Sequence, residues 1–565
     1  MNRYIIQALF AICLVSCVNL DLQPLDTGSS DSWYADEEEI VMSIRGLYRT
    51  DFWPQDDWRW SDDHQNRGNL NIITGGTING ESSEVKSRWQ NCYKAIARAN
   101  TLLSKLEMAG KDFGISDEKL NLYRAQVLCA RCQQYFTLTT YFGDVVYVDK
   151  DISIEDSFRM GRTDKREILE KVYADMDEAA RYLPVSYGGD VELATKGAAY
   201  AIKARYALFN GDWQTAAQAA KNCMDLGAYE LYPDFSKLFL ASTLHPSENI
   251  LSWPRSVELD VTLSPGNVMG FTPRNRGGYA SEYPSWDLFC SSLCTDGKPI
   301  DESPLFDPHN PFKNRDPRCA ATLVEFGSEH LGVTYDPNPY TYSVWNYLVN
   351  SQITNKDCNS GSQYAAYNGL LRKKGIDEDW VNDYTYKVAP DCVFIRYAEV
   401  LLIYAEAKIE MNEIDASVTD AINAVRARAY GVKPSETDKY PAVALAGQEE
   451  LRKTVRIERR MELAYEGVRY MDLLRWRLAE KALNRPDYGL LDNESLKKLV
   501  DAGNWFFGMT PEIDEDGVPD FSKLYEAGMC KVITQRHFDA SKNYLWPIPS
   551  QETLTNPFLG QNDNY

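Results

Sequence analysis

Apolar residues recur at helical spacing over most of this chain, and a central stretch of about 160 residues breaks the rhythm. The strongest helical signal lies between Val393 and Trp476. From Phe394 to Met411 nearly every face is apolar (Phe394, Ile395, Val400, Leu401, Leu402, Ile403, Ile409), which predicts a helix buried on all sides. Charges inside it keep helical spacing: Glu399 and Glu406 lie two turns apart on one face. A later helical run carries Arg456, Glu458, Arg459, Arg460, Glu462, Glu466 and Arg469. Charges embedded in apolar helices need partners, so neighbouring helices are expected to be joined by ion pairs. The same carboxylates could in principle form an active site. No nucleophile, metal triad or histidine accompanies them, and a scaffold is the better reading.

The remaining helices follow from the same periodicity. They are expected at Glu37–Arg49, Val85–Leu106, Lys119–Tyr141 (stopped by Gly143) and Thr163–Leu183 (closed by Pro184). Gly197–Phe209, the turn Asn210-Gly211-Asp212 and Trp213–Leu226 make a tight helical hairpin with alanines at close-packing positions. That is how a tetratricopeptide-like pair looks. Similar pairs can be drawn at 394–411 with 417–429 and at 449–465 with 468–483. The predicted fold is mostly α, a solenoid of three or four helix pairs. Between about 228 and 390 the chain turns rich in Pro, Gly, Asn, Tyr and Trp, and a long irregular region of that kind is usually a functional surface.

Composition narrows the function. The net charge of −22 over 565 residues argues against nucleic acid and anionic membrane surfaces as partners. The 35 Tyr and 13 Trp exceed what a core requires, and both suit binding surfaces. At the N-terminus, Arg3 precedes an apolar run from Ile5 to Val15, which reads as a signal peptide over 1–16, too short to span a bilayer. Leu14-Val15-Ser16-Cys17 reads as a lipobox, with Cys17 lipidated and residues 17–36 a polar tether. Ten cysteines follow, with no dense spacing; Cys129 and Cys132 read as buried thiols within a helix rather than a redox pair.

Several motifs, in order along nearly the whole mature chain, resemble the SusD/RagB family of outer-membrane lipoproteins. They are Cys17 followed by LDLQP, TYFGD at 140–144, GAAYAIKARYALFNGDWQTAA from 197 and FIRYAEVLLIYAEA from 394. ERRMELAYEGVRYMDLLRW from 458 and the terminal YLWPIP and NPFLGQN complete the set. Val146 and Asp563-Asn564 stand where the family usually has Pro and Pro-Gly. The resemblance implies a helical framework that is lipid-anchored at the cell surface on the outer membrane. It also implies a SusC-like TonB-dependent transporter as partner, and capture of oligosaccharides without catalysis, or of oligopeptides in the RagB-like branch.

None of those motifs is itself a ligand site, so the candidates come from side-chain chemistry. Trp and Tyr stack on the C–H faces of sugars, while carboxylates, amides and Arg bond the hydroxyls. The segment FWPQDDWRWSDDHQNRGN sets Trp58 and Trp60 among Asp62, Asp63 and other polar residues, and it could be a binding loop or a packing loop. Tyr283 and Trp286 follow FTPRNRGG, Trp345 sits in NPYTYSVWNYL, and Arg372 in GLLRKKG. Trp89 reads as core. No catalytic motif, metal set or cofactor fingerprint is found, and Glu512–Gly517 lacks the Glu that would complete a calcium loop. A surface glycoside hydrolase and a pure interaction scaffold remain the competing classes.

Overall fold

The computed structural model describes residues 34, 36–188, 192–358, 365–381 and 386–565. The signal peptide, Cys17 and all but the end of the tether lie outside them. The principal helices are α1 (Glu37–Arg45), α2 (Ser83–Phe113), α3 (Asp117–Phe142), α4 (Lys165–Tyr182), α5 (Lys196–Asn210), α6 (Trp213–Met224), α7 (Tyr397–Glu410), α8 (Ala416–Ala429), α9 (Gln448–Leu463) and α10 (Arg469–Arg475). They pack serially: α3 lies against α2 and α4, α5 against α6, α6 against α7, and α7 against α8 and α9. Among the described residues no helix is long and apolar enough to cross a membrane.

The α5–α6 hairpin shows how local sequence sets this packing. Thr195 caps α5 by accepting from Ala198 N at 3.1 Å, and Gly211 closes it at φ +76°, which glycine adopts without strain. Ala198, Ala201 and Ala204 of α5 and Ala216, Ala219 and Ala220 of α6 are buried, and their small side chains let the two backbones approach. α7 is buried on nearly every face, as its composition predicts. Cys129 and Cys132 are buried thiols of α3, and burial pushes Cys129 up to about 12.

α1 ends at Arg45 rather than Arg49, α2 runs on to Phe113 rather than Leu106, and the helix drawn over 468–483 is two short ones, Arg469–Arg475 and Ala479–Ala482. One boundary differs in kind. Val393–Arg396 do not open α7; they belong to a strand, β8 (Cys392–Arg396), paired antiparallel with β2 (Asn249–Trp253). The run Val-Phe-Ile suits a pleated surface better than a helix. The cross-strand partner β2, far earlier in the chain, is what selects it.

The charges in these helices are paired, as expected. Glu399 takes both forks of Arg205 from α5 at 2.8 and 2.6 Å, and Glu406 takes Arg475 from α10 at 2.6 and 2.8 Å. Glu462 of α9 accepts from Arg396, Arg428 and Arg318. Burial alone would raise the Glu462 carboxyl; Arg428, Arg396 and Arg318 overrule it and bring it down to about 2.

The region 228–390 holds small sheets and short helices laid over the scaffold. β1 (His64–Asn66) pairs with β3 (Glu282–Pro284), so the segment after α1 is stitched into this region. β4 (Ser328–His330), β5 (Val333–Tyr335), β6 (Ser343–Asn346) and β7 (Ser351–Thr354) form an antiparallel four-stranded sheet in sequence order. A second core gathers Trp286 and Phe289 of this region with Phe506, Phe507 and Phe521 from further along the chain.

Candidate functional site

The structure divides the eight candidate ligand residues sharply. Five are interior. Trp60 packs edge-on against Tyr470 and Trp546. Asp62 accepts from Arg469 Nε at 2.8 Å, and its other oxygen from Arg469 Nη2 at 2.9 Å and Arg460 Nη2 at 3.0 Å. Asp63 accepts from Arg460 Nε at 2.9 Å. Burial works to raise the Asp62 carboxyl, but Arg460 and Arg469 hold it well below the usual range; in Asp63 burial prevails and raises it. Tyr283 is 0% exposed beside Val324 and Tyr335. Trp286 packs on Phe507 at 5.0 Å and donates its Nε1–H to Asn368 O at 2.9 Å. Expecting a ligand role for these five is therefore corrected: they are packing and ion-pair residues. A dense mix of Trp and Asp serves a buried seam as well as a binding loop, and here the arginines of α9 and α10 claim the carboxylates.

Trp58 and Arg372 stay half-buried and are brought together. Trp58 opens a one-turn helix whose preceding residue, Asp57, caps it and also grips Arg59 through Nε and Nη2. The indole contacts His64 at 4.7 Å, Phe271 at 4.8 Å and Tyr465 at 5.9 Å between ring centres. The Arg372 guanidinium lies over the same two rings, 4.7 Å from Phe271 and 4.6 Å from Tyr465. Burial lowers Arg372 to about 10. Behind the cage stand Val268, Leu331, Ile376 and Trp380.

Tyr465 itself is unusual. Its backbone sits at φ +66°, a conformation that costs a bulky residue energy, and its buried hydroxyl finds no partner among the described residues. A strained residue with an orphaned polar atom is the kind of feature that collects at ligand sites. The sequence carried no signal for it, because Tyr465 lies inside a motif otherwise devoted to the scaffold. Phe271 was equally invisible.

Trp345 occupies the outer face of the four-stranded sheet. The register pairs Glu329 with Thr334 and Trp345 with Gln352, and the Val333–Asn346 pairing sets Thr334 opposite Trp345. Glu329, Thr334, Trp345 and Gln352 thus form one cross-strand row, exposed or half-exposed throughout, while Val333, Tyr335 and Val344 point inward and are buried. An indole in line with a carboxylate, a hydroxyl and an amide offers a stacking face together with donors and acceptors. At the β6–β7 turn Tyr347, Leu348 and Val349 are exposed. Among the described residues no cluster of three or more His, Cys, Asp or Glu could hold a metal ion.

The architecture is thus a scaffold of helix pairs carrying a face of loops and small sheets, with Trp345 on its outer side. The chain belongs to the SusD family, whose model matches residues 253–565, and a second model described as "Starch-binding associating with outer membrane" matches 48–208. It is 25% identical to SusD-like protein P2 of Formosa agariphila over 98% of this chain and 97% of that one. Among solved structures, a SusD-like carbohydrate binding protein from Bacteroides fragilis superposes with TM-score 0.75 at 27% identity, covering 94% of this chain and 100% of that one. A laminarin binding SusD-like protein shares the fold at TM-score 0.58 and 20% identity, covering 94% and 100%.

Proposed function

We propose that this protein captures oligosaccharides at the outer surface of the outer membrane and delivers them to a SusC-like TonB-dependent transporter, performing no chemistry itself. The observation that carries the reading is the outward-facing row Glu329–Thr334–Trp345–Gln352. It supplies the flat apolar face and the polar flanks that a pyranose ring needs. Carbohydrate binding is stated for the similar Bacteroides fragilis protein, and laminarin binding for a fold neighbour, which supports a glycan ligand here. Lipidation at Cys17 would tether the protein to the membrane, and the net charge of −22 fits no nucleic-acid role.

Binding of the mature chain, with Cys17 removed, to a panel of oligosaccharides and oligopeptides tests this, with products assayed in the same samples. Saturable glycan binding without product, lost in Trp345→Ala, is the expected result. Binding of peptides alone would transfer the protein to the RagB-like mode. Conversion of a bound glycan would make it a hydrolase.

A further inference from the structure

Arg372 is a cation that the buried ion network leaves over. That network closes on itself: Arg318, Arg396, Arg426, Arg428 and Lys374 face Asp316, Glu248, Glu458, Glu462 and Glu466, five cations against five carboxylates. Glu466, which acts on Arg372 through space, has both oxygens taken. Its Oε1 accepts from Lys374 Nζ at 2.6 Å and Arg396 Nη2 at 2.7 Å, and its Oε2 from Arg396 Nε at 2.6 Å. Arg59, the other cation against Trp58, is held by Asp57. Among the described residues no carboxylate pairs with Arg372. In a chain with an excess of 22 negative charges, a half-buried guanidinium without a counterion needs a reason.

Its geometry supplies one. Nε is fixed by donating to Lys374 O at 3.0 Å, and the plane of the group is held against Phe271 and Tyr465. The two Nη groups donate to no described residue and reach solvent. A planar fork held rigid with its outer nitrogens free matches a carboxylate or a sulfate, and little freedom remains to be lost on binding. Burial raises the free-energy cost of leaving that charge unpaired, so an anion arriving there gains more than it would at an open surface. Trp58, half-buried and sharing both rings with Arg372, puts apolar surface beside the fork, where the sugar that carries the acid group would lie.

We infer that Arg372, held over Phe271 and Tyr465 beside Trp58, binds an acid group of the captured glycan. The site then selects oligosaccharides bearing a uronate carboxylate or a sulfate ester over their neutral counterparts. The inference rests on the glycan-capture reading and adds the substrate class to it.

The test is calorimetric titration of the mature chain with three size-matched sets of oligosaccharides: neutral, uronate-containing and sulfated. One charge-assisted fork corresponds to about tenfold to a hundredfold in affinity, so an acidic set should bind tighter than the neutral one by that factor. The preference should shrink as salt is raised. In Arg372→Gln the ratio of acidic to neutral affinity should fall to about one. Arg372→Lys, which keeps the charge and loses the fork, should retain only part of the preference, and the thermal midpoint of each variant shows that it is folded. A preference for the uronate set or for the sulfated set names the acid group, and either supports the assignment. Equal binding of neutral and acidic sets by the unaltered protein would overturn it while leaving glycan capture standing, and needs no variant to observe. Failure of all three sets would overturn glycan capture itself.

Discussion

The helical scaffold and the Trp58–Arg372 cage use the same residue types to opposite ends. In the scaffold each of Arg205, Arg396, Arg428, Arg460, Arg469 and Arg475 is matched to at least one carboxylate. In the cage Arg372 lies over two rings and has no carboxylate among the described residues. Removing one partner of a buried pair strands a charge, so the pairs lock these helices to one another. A site that receives a ligand must hold back some of that pairing. At the cage, Tyr465 adds an orphaned hydroxyl and a strained backbone beside the unpaired cation. Composition alone does not separate the two regions; pairing does.

The sharpest way to break the comparison is at Glu462, which three arginines share. Glu462→Gln should destabilise the fold by roughly 3–5 kcal/mol, seen as a large fall in the denaturant midpoint, because buried guanidinium groups lose their counterion. The same residue predicts a pH dependence. Its carboxyl is held at about 2 in the folded chain against 4.5 as the ordinary value. The folded state therefore binds the proton less readily than the unfolded one, and the stabilisation is complete above pH about 4.5 and lost as pH falls toward 2. Unfolding curves should move steeply in that window, and less so in Glu462→Gln. A variant that stays as stable as the parent would show that the network is dispensable.

Asp62→Ala follows, at about 3–5 kcal/mol, since it leaves Arg469 without its bidentate partner. Whatever fraction folds should bind ligand with undiminished affinity, because Asp62 is buried in the seam. Weakened binding in a fully folded variant would return Asp62 to the ligand site.

That residue also shows what the sequence could carry. The helix pairs were legible because turn residues and alanine spacing are local signals, as in Asn210-Gly211 and the α5–α6 alanines. Ion pairing of Arg460 and Arg469 was also expected from their apolar surroundings. Their partners, Asp62 and Asp63, stand about 400 residues earlier, and nothing local joins the two halves. The strand at Cys392–Arg396 was hidden for the same reason, since β2 selects it from a distance. Of the candidate site, Trp58, Trp345 and Arg372 were nameable as residue types; the cage and the cross-strand row depend on register and packing.

On the binding side the expected effects are smaller in energy and specific in readout. Trp345→Ala should leave the denaturant midpoint within about 0.5 kcal/mol of the parent, as an outer-face residue, yet weaken glycan binding at least tenfold, the loss of one stacked ring. A fall in stability with no change in binding would make Trp345 a packing residue like Trp286.

The smallest effect, and the finest test of the row, is at Gln352. Its amide stands directly across from Trp345, so a sugar stacked on the indole would bring a hydroxyl within its reach. One neutral hydrogen bond to a ligand is worth about 1 kcal/mol net, which makes Gln352→Ala a loss of roughly fivefold in Kd with no change in folding. Because both residues would touch the same ring, their effects should not add. Once Trp345 is gone the sugar is no longer held against the amide, and Gln352→Ala should cost almost nothing further. A double-mutant cycle on binding therefore reads the coupling directly. Simple additivity would mean that Gln352 and Trp345 act on different parts of the ligand, or that the row is only a sheet surface, and the exposed face of β4–β7 would lose its place as the sugar platform.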